Sequence, residues 1–407
     1  MSTTNSESRA LINWPRNRVL FYAIPLLGLM IFYARSIGYG YVWDDPVNVE
    51  LDFAGANAWI VQHFRPLYYY SFAISNWMSD DPMFHHLVNY ALMLLGVVLA
   101  CRLVERHSLP FGSLVVLVVF MHPSFVYPIT WISQRNDLLL IDFLLLTLLN
   151  IERSRGLVYL LLSDLSKMPF VLQNLWYATY QWRVLRKRLF AIIAILVLPP
   201  IIINAYLFYA GYSTTATSAL VYLDVQTIPG LATLALARLA KLLEGWFLVF
   251  IPFPGYFGVG APGLMILVVT CYATAWTIIG YQLLRCGGLR RGPFRFLVLG
   301  AFMSLPFIFN SDMRILGPAI PFIYFGVFIM SDKSRSVKVA LIMLLILNAG
   351  GSILNYRLSD TGVYDAHADV DYRQCGIYES SIPNERWRCS RSKIAKEIVE
   401  KLNALLI

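Results

Sequence analysis

The sequence predicts an all-α, polytopic membrane protein, and three observations predict it. The 407 residues are 58% hydrophobic and only 14% charged, against roughly 25% charged in soluble domains. The mean hydropathy is +0.60. The apolar residues also gather into long uncharged runs, which is what a helix crossing a hydrocarbon core of about 30 Å requires.

Those runs are Val19–Tyr33, Leu87–Val104, Leu114–Phe125, Leu138–Leu149, Leu189–Tyr209, Leu264–Leu284, Phe296–Phe309, Ile315–Met330 and Val337–Leu354. Two shorter ones, Leu157–Leu165 and Phe170–Trp182, the latter with Asn174 and Gln181, are weaker candidates. Together they predict a bundle of about 11 transmembrane helices. The first run follows a polar, Arg-containing leader with no small-residue cleavage site before Tyr39, so it reads as an anchor rather than a signal peptide.

Lys and Arg set the expected orientation, because short cytoplasmic loops are enriched in them. With the N-terminus inside, the inner loops hold Arg102 and Arg106, Arg153 and Arg155, the Arg183–Arg188 cluster, Arg285–Arg295 and Lys333–Lys338. The outer loops are poor in base. The formal net charge of +9 is then a topological signal and not a nucleic-acid footprint.

The organisation is a membrane domain over residues 1–354 and a small non-cytoplasmic tail over 355–407. Cys375 and Cys389 lie in that tail, where an oxidising compartment would let them form a disulfide. Cys101, Cys271 and Cys286 sit in or beside spans as packing residues. Two outer loops are long, Gly38–Met83 and Ala210–Gly263, and loops of this length are usually functional or disordered. The first carries Trp43, Trp59, Tyr68–Tyr70 and Trp77, aromatics suited to a membrane interface. The second includes Leu231–Leu243, an expected amphipathic helix on the membrane surface. In the tail, Ser392–Ile407 has the spacing of another amphipathic helix.

Chemistry is expected at the outer face. Asp44 and Asp45 lie just past the first span, where a carboxylate can accept a proton from an attacking hydroxyl or hold a divalent metal such as Mg or Mn. By spacing alone the pair reads equally as solvated loop acids. Arg65, His122, Arg135, Asp137, Lys167 and Arg314 fall near the same face. Ionisable residues near spans are costly and often functional, although each alone can snorkel to water. Tyr69 and its neighbours offer rings for stacking on a sugar or for interfacial anchoring. His85 and His86 are poor metal ligands together, because adjacent helical residues point in different directions.

The order of these elements carries a resemblance. Trp43-Asp44-Asp45, Arg65-Pro66-Leu67, Phe84-His85-His86-Leu87-Val88-Asn89, His122-Pro123, Trp131-Ile132-Ser133-Gln134-Arg135-Asn136-Asp137-Leu138-Leu139, Leu165-Ser166-Lys167 and Ser311-Asp312-Met313-Arg314-Ile315-Leu316 resemble the GT-C superfamily of membrane glycosyltransferases. The resemblance is nearest to the protein O-mannosyltransferase-like and tetratricopeptide-linked transmembrane transferases, and spans roughly residues 42–317. The chain departs from that pattern in the displaced acid Asp312, in Met168 after Lys167, and in a tail without tetratricopeptide repeats.

The resemblance implies a GT-C-like bundle with outer-face amphipathic helices. It also implies inverting transfer of a sugar from a polyprenyl-phosphate donor, with Asp44 as base, Asp45 sharing or orienting, and Arg135, Lys167 and Arg314 on the donor phosphate. Arg65, His122, Asp137 and Tyr69 are the expected substrate-binding residues. The expected acceptor is a surface glycan or lipid-linked glycan, such as a lipopolysaccharide O-antigen, in a bacterial inner membrane. A protein acceptor is the alternative. A flippase for the same glycolipids, the rival outside the transferases, predicts inverted repeats and ionisable groups near span centres, and no such repeats are visible.

Overall fold

The structure is a computed structural model that describes residues 18–39, 51–63, 65–109, 111–167, 174, 176–177, 202, 239–240, 242–243, 245–252, 262–285, 291–304, 317–330 and 334–360. Among these the regular structure is entirely helical. In chain order the α-helices are α1 (Arg18–Tyr33), α2 (Phe53–His63), α3 (Pro66–Met78), α4 (Pro82–Arg106), α5 (Gly112–Phe120), α6 (Val126–Thr130), α7 (Arg135–Leu149), α8 (Ser154–Ser166), α9 (Pro262–Arg285), α10 (Arg291–Ser304), α11 (Ile320–Met330) and α12 (Arg335–Asp360).

Local sequence accounts for the helix ends. Pro82 opens α4 at a position whose N–H would be unpaired anyway, and the Asp81 carboxylate caps it by accepting from the Met83 N–H at 2.9 Å. Pro66 opens α3 in the same way. Pro123 has no N–H to continue α5, so the chain breaks at Met121-His122-Pro123 and resumes through a short turn as α6, bent by 60°.

The described residues contain four helices long and apolar enough to cross a membrane, within Arg18–Gly38, Pro82–Arg106, Ile266–Arg285 and Arg335–Leu354, or five if the bent pair Gly112–Phe120 and Pro123–Thr130 is one span. The wider expectation of about 11 meets shorter helices in several places. Leu138–Leu149 and Leu157–Leu165 fall in helices of 15 and 13 residues, about 22 and 20 Å long at 1.5 Å per residue. Phe296–Phe309 and Ile315–Met330 are described only in part, as α10 and α11 of 14 and 11 residues, with 305–309 and 315–316 outside the described residues. Apolar composition marks burial in lipid or in protein alike, and these windows are apolar for the second reason as much as the first. The spans expected at Leu189–Tyr209 and most of Phe170–Trp182 lie outside the described residues, as do most of Leu231–Leu243 and all of Ser392–Ile407.

The structural argument for a membrane is that polar side chains are buried between helices whose outer faces carry exposed apolar ones. Asp142, Thr147, Ser163, Asn348 and Ser352 are buried between helices, while Val19, Ile31, Ile266, Leu284 and Ile346 are exposed. In lipid, helices gain nothing by hiding leucine from the solvent; close packing and interhelical hydrogen bonds hold them together. Asn348 shows this directly: it donates to the Val118 carbonyl at 2.8 Å and accepts from the Tyr272 hydroxyl at 2.9 Å, joining α5, α9 and α12. Ser352, one turn along, donates to the Met121 carbonyl freed by the break after α5.

Glycine sets two close crossings. α10 and α11 run antiparallel, and a Cβ added at Gly300 would lie 2.4 Å from Ile323 Cγ1 and 2.9 Å from its backbone nitrogen. We expect Gly300→Ala to cost about 1–3 kcal/mol, as overpacking does, read as a lower unfolding midpoint in detergent; an unchanged midpoint would show that the pair can part freely. The second crossing is Gly96 on α4, whose added Cβ would lie 2.7 Å from Asp142 Oδ1 on α7.

α2 and α3 cover one end of the bundle. Their apolar residues Leu51, Ala56, Tyr68, Tyr69, Phe72 and Ala73 form a small core of their own, closed by Ile132.

Candidate functional site

The covered end begins with α7. The chain turns at Trp131 and starts this helix at Arg135, so its first turn presents Arg135, Asn136 and Asp137, all buried. α4 runs parallel to α7, with Asn89 beside Arg135 and, two turns deeper, Gly96 beside Asp142. α8 returns antiparallel to α7, which brings Lys167, the residue just past its C-terminus, back to Asp137.

Arg135 is wholly buried, and its guanidinium is engaged on every side. Nε–H donates to Asn89 Oδ1 at 2.7 Å, and Nη1 donates to the Ser71 carbonyl at 3.0 Å and Ser75 Oγ at 2.9 Å. Nη2 donates to the His85 carbonyl at 3.3 Å, and the plane lies 4.3 Å from the centre of the Phe72 ring. Asn89 in turn donates to the Pro128 and Ile132 carbonyls, both at 3.2 Å, in the turn before α7. The result is one polar node binding α3, α4 and α7.

Asp137 and Lys167 form an ion pair. The placement is doubly favourable, because an acid in the first turn of α7 and a cation at the C-cap of α8 each complement a helix dipole. Asp137 is buried, with the Lys167 side chain 15% exposed. Oδ1 takes the ammonium, while Oδ2 and the neighbouring Asn136 Oδ1 are buried without a hydrogen-bond partner.

Arg65 precedes α3 and is half-buried, its Nε without a hydrogen-bond partner. One turn on, Tyr68 donates its hydroxyl to the Ser133 carbonyl at 2.8 Å, tying α3 to the approach to α7. Tyr69 is buried, with its ring 5.9 Å from Trp59 and 4.9 Å from Tyr68.

His122 belongs to a different contact. Its Nδ1 accepts from the Ser124 N–H at 3.2 Å, which leaves Nε2 as the protonated nitrogen, donating to the Val249 carbonyl at 3.2 Å. Tyr324 donates to the same carbonyl at 2.8 Å and its ring meets the imidazole edge-on. His122 therefore joins the bend after α5 to the segment 245–252 and α11.

The structure thus brings Arg65, Tyr69, Arg135, Asp137 and Lys167 to one end, with His122 in a separate junction. Asp44, Asp45, Arg314, Cys375 and Cys389 lie outside the described residues. The flanks of the acid pair are described: Tyr39 packs edge-on against His86, and the Leu51 carbonyl accepts from Asn76 Nδ2. Both flanks are held at the end that carries the Arg135 node.

Sequence reasoning did not single out Asn89, Ser71 and Ser75 as the cradle of Arg135, nor Asp142 as an intramembrane acid. The signal for Asp142 was a lone carboxylate among leucines. The signal for Asn89 was an amide in the first turns of an otherwise apolar span. Asp164, one turn before Lys167, is also buried and accepts from Asn174 Nδ2 at 2.7 Å. Among the described residues no group of three or more His, Cys, Asp or Glu side chains is arranged to hold a metal ion.

Comparison of the chain with protein-family models, with curated proteins and with solved structures finds no match in any of the three.

Proposed function

We propose that this membrane protein is a GT-C-like glycosyltransferase that moves a sugar from a polyprenyl-phosphate donor to a surface or lipid-linked glycan on the non-cytoplasmic side, with inversion. The observation that supports it most is the charge held at the covered end. Among the described residues three buried or half-buried cations, Arg65, Arg135 and Lys167, gather there with the carboxylates Asp137 and Asp164. Cations held at headgroup depth suit a lipid-linked phosphate, whose departing charge needs them there.

The reaction assigns the parts. An acceptor hydroxyl attacks the anomeric carbon, the bond from that carbon to the phosphate oxygen breaks on the opposite face, and the hydroxyl proton passes to Asp44 with Asp45 beside it. The leaving phosphate keeps the electron pair and is met by Arg65 and Arg314. Arg135, already enclosed by neutral partners, serves by holding α3 and α7 together rather than by touching the donor.

The test gives purified protein a panel of polyprenyl-phosphate sugars. Asp44→Asn is expected to lower transfer by about 10²–10⁴-fold and Asp45→Asn by less. Undiminished transfer by both variants would remove the base. Cysteine placed at residue 44 should label from the non-cytoplasmic side, and labelling from the cytoplasm alone would overturn the orientation.

A second reading, transport of the same glycolipids, is favoured by one observation. Asp142 is buried inside the bundle with Oδ2 unpartnered, and intramembrane carboxylates mark proton or ion pathways in transporters. Flipping of a fluorescent glycolipid in vesicles, abolished by Asp142→Asn and untouched by Asp44→Asn, would select it.

A further inference from the structure

Asp137 is half used. Its Oδ1 accepts from Lys167 while Oδ2, equally buried, receives no hydrogen bond. A buried carboxylate oxygen without a donor carries its full desolvation cost, which native structures avoid unless the group has another task. The task is not phosphate binding, since the carboxylate would repel the phosphate and already neutralises the ammonium. A divalent ion would need further oxygen ligands, and the described residues bring no group of three acids, histidines or cysteines together.

What an oxygen acceptor and an ammonium donor match, side by side, is a pair of adjacent hydroxyls. A hydroxyl both donates and accepts, so one can donate to Asp137 Oδ2 while its neighbour's oxygen accepts from Lys167. α3 packs against α8, so the aromatic core of α2 and α3, with Tyr68, Tyr69 and Trp59, backs the element that leads to Lys167. We infer that the Asp137–Lys167 pair is a hydroxyl-recognition subsite for two adjacent hydroxyls of a sugar substrate. This rests on the glycosyltransferase reading, and the sugar is either the one carried by the donor or the terminal one of the acceptor.

The experiment uses the full chain in nanodiscs, with intact and singly deoxygenated polyprenyl-phosphate sugars, then intact donor with singly deoxygenated acceptors. A site built to bond a hydroxyl rejects the analogue that lacks it strongly. For wild type we expect removal of either of two adjacent hydroxyls to lower kcat/KM on the order of 100-fold, in the donor series or the acceptor series according to which sugar is bound. In Asp137→Asn, where an amide donor replaces the free acceptor, that discrimination should fall below about 10-fold. The wild-type series needs no variant, so a poorly folding Asp137→Asn leaves the test intact. Wild type that tolerates every deoxy donor and acceptor within about 3-fold, or Asp137→Asn that keeps the wild-type pattern, overturns the subsite alone. Folded wild type that transfers no sugar from any donor overturns the glycosyltransferase reading and the subsite with it.

Discussion

Arg135→Met is expected to lower the stability of the protein in detergent by about 3 kcal/mol or more. The change leaves Asn89 Oδ1 without its donor in a place water does not reach, and it takes one charged donor each from the Ser71 carbonyl, which keeps the Ser75 hydroxyl, and from the His85 carbonyl within α4. An orphaned acceptor costs about 1–3 kcal/mol and a lost hydrogen bond to a charged group about as much, offset in part because a buried guanidinium no longer has to be desolvated. Arg135→Lys should recover less than half of the loss, since an ammonium cannot reproduce a planar fork spread over α3, α4 and α7. The midpoint of unfolding by heat or denaturant measures both. If Arg135→Met unfolds where wild type does, the node is not what joins these helices.

The second large effect concerns the ion pair. Lys167→Met removes the partner of a buried carboxylate and is expected to cost about 3 kcal/mol, whereas Asp137→Asn combined with Lys167→Met should cost less than the sum of the two single changes. The coupling, about 1–3 kcal/mol, is what a double-mutant cycle reads. Additive costs would mean that the two groups ignore each other despite their contact. The cycle is a stability measurement, so it stands apart from the deoxy-sugar test of the same pair.

Much of the framework was legible from the residues in order. The apolar runs at Val19–Tyr33, Leu87–Val104, Leu264–Leu284 and Val337–Leu354 correspond to the four long helices, because lipid demands length and a length of apolar chain can be read directly. The breaks at Pro66, Pro82 and Pro123 have an equally local cause, the missing N–H, yet the apolar run Leu114–Phe125 reads straight through the last of them. Less legible was whether a shorter apolar run crosses lipid or packs inside protein. α7 and α11 are rich in Leu, Ile and Phe, yet nearly every side chain on them is covered by other helices.

The candidate site divides in the same way. Arg65, Arg135, Asp137 and Lys167 were expected at one face together with His122, which the structure places in a separate junction, and the pairing of Lys167 with Asp137 follows from the antiparallel return of α8. The role of Arg135 was not legible, because an arginine next to a span looks the same in sequence whether it faces a phosphate or an asparagine. Its partners lie between 46 and 64 residues upstream.

By itself the sequence determined residence in a membrane, an all-helical architecture and the places of the four long helices. These are set by solvent and by the backbone, and both act within a few residues. Only the tertiary structure decided that Arg135 is a clamp, that Asp137 spends one oxygen on Lys167 and keeps the other, and that Gly96 makes room for Asp142. Those outcomes depend on which helix faces which, and a charge in a medium of low dielectric takes its meaning from the neighbour that satisfies it.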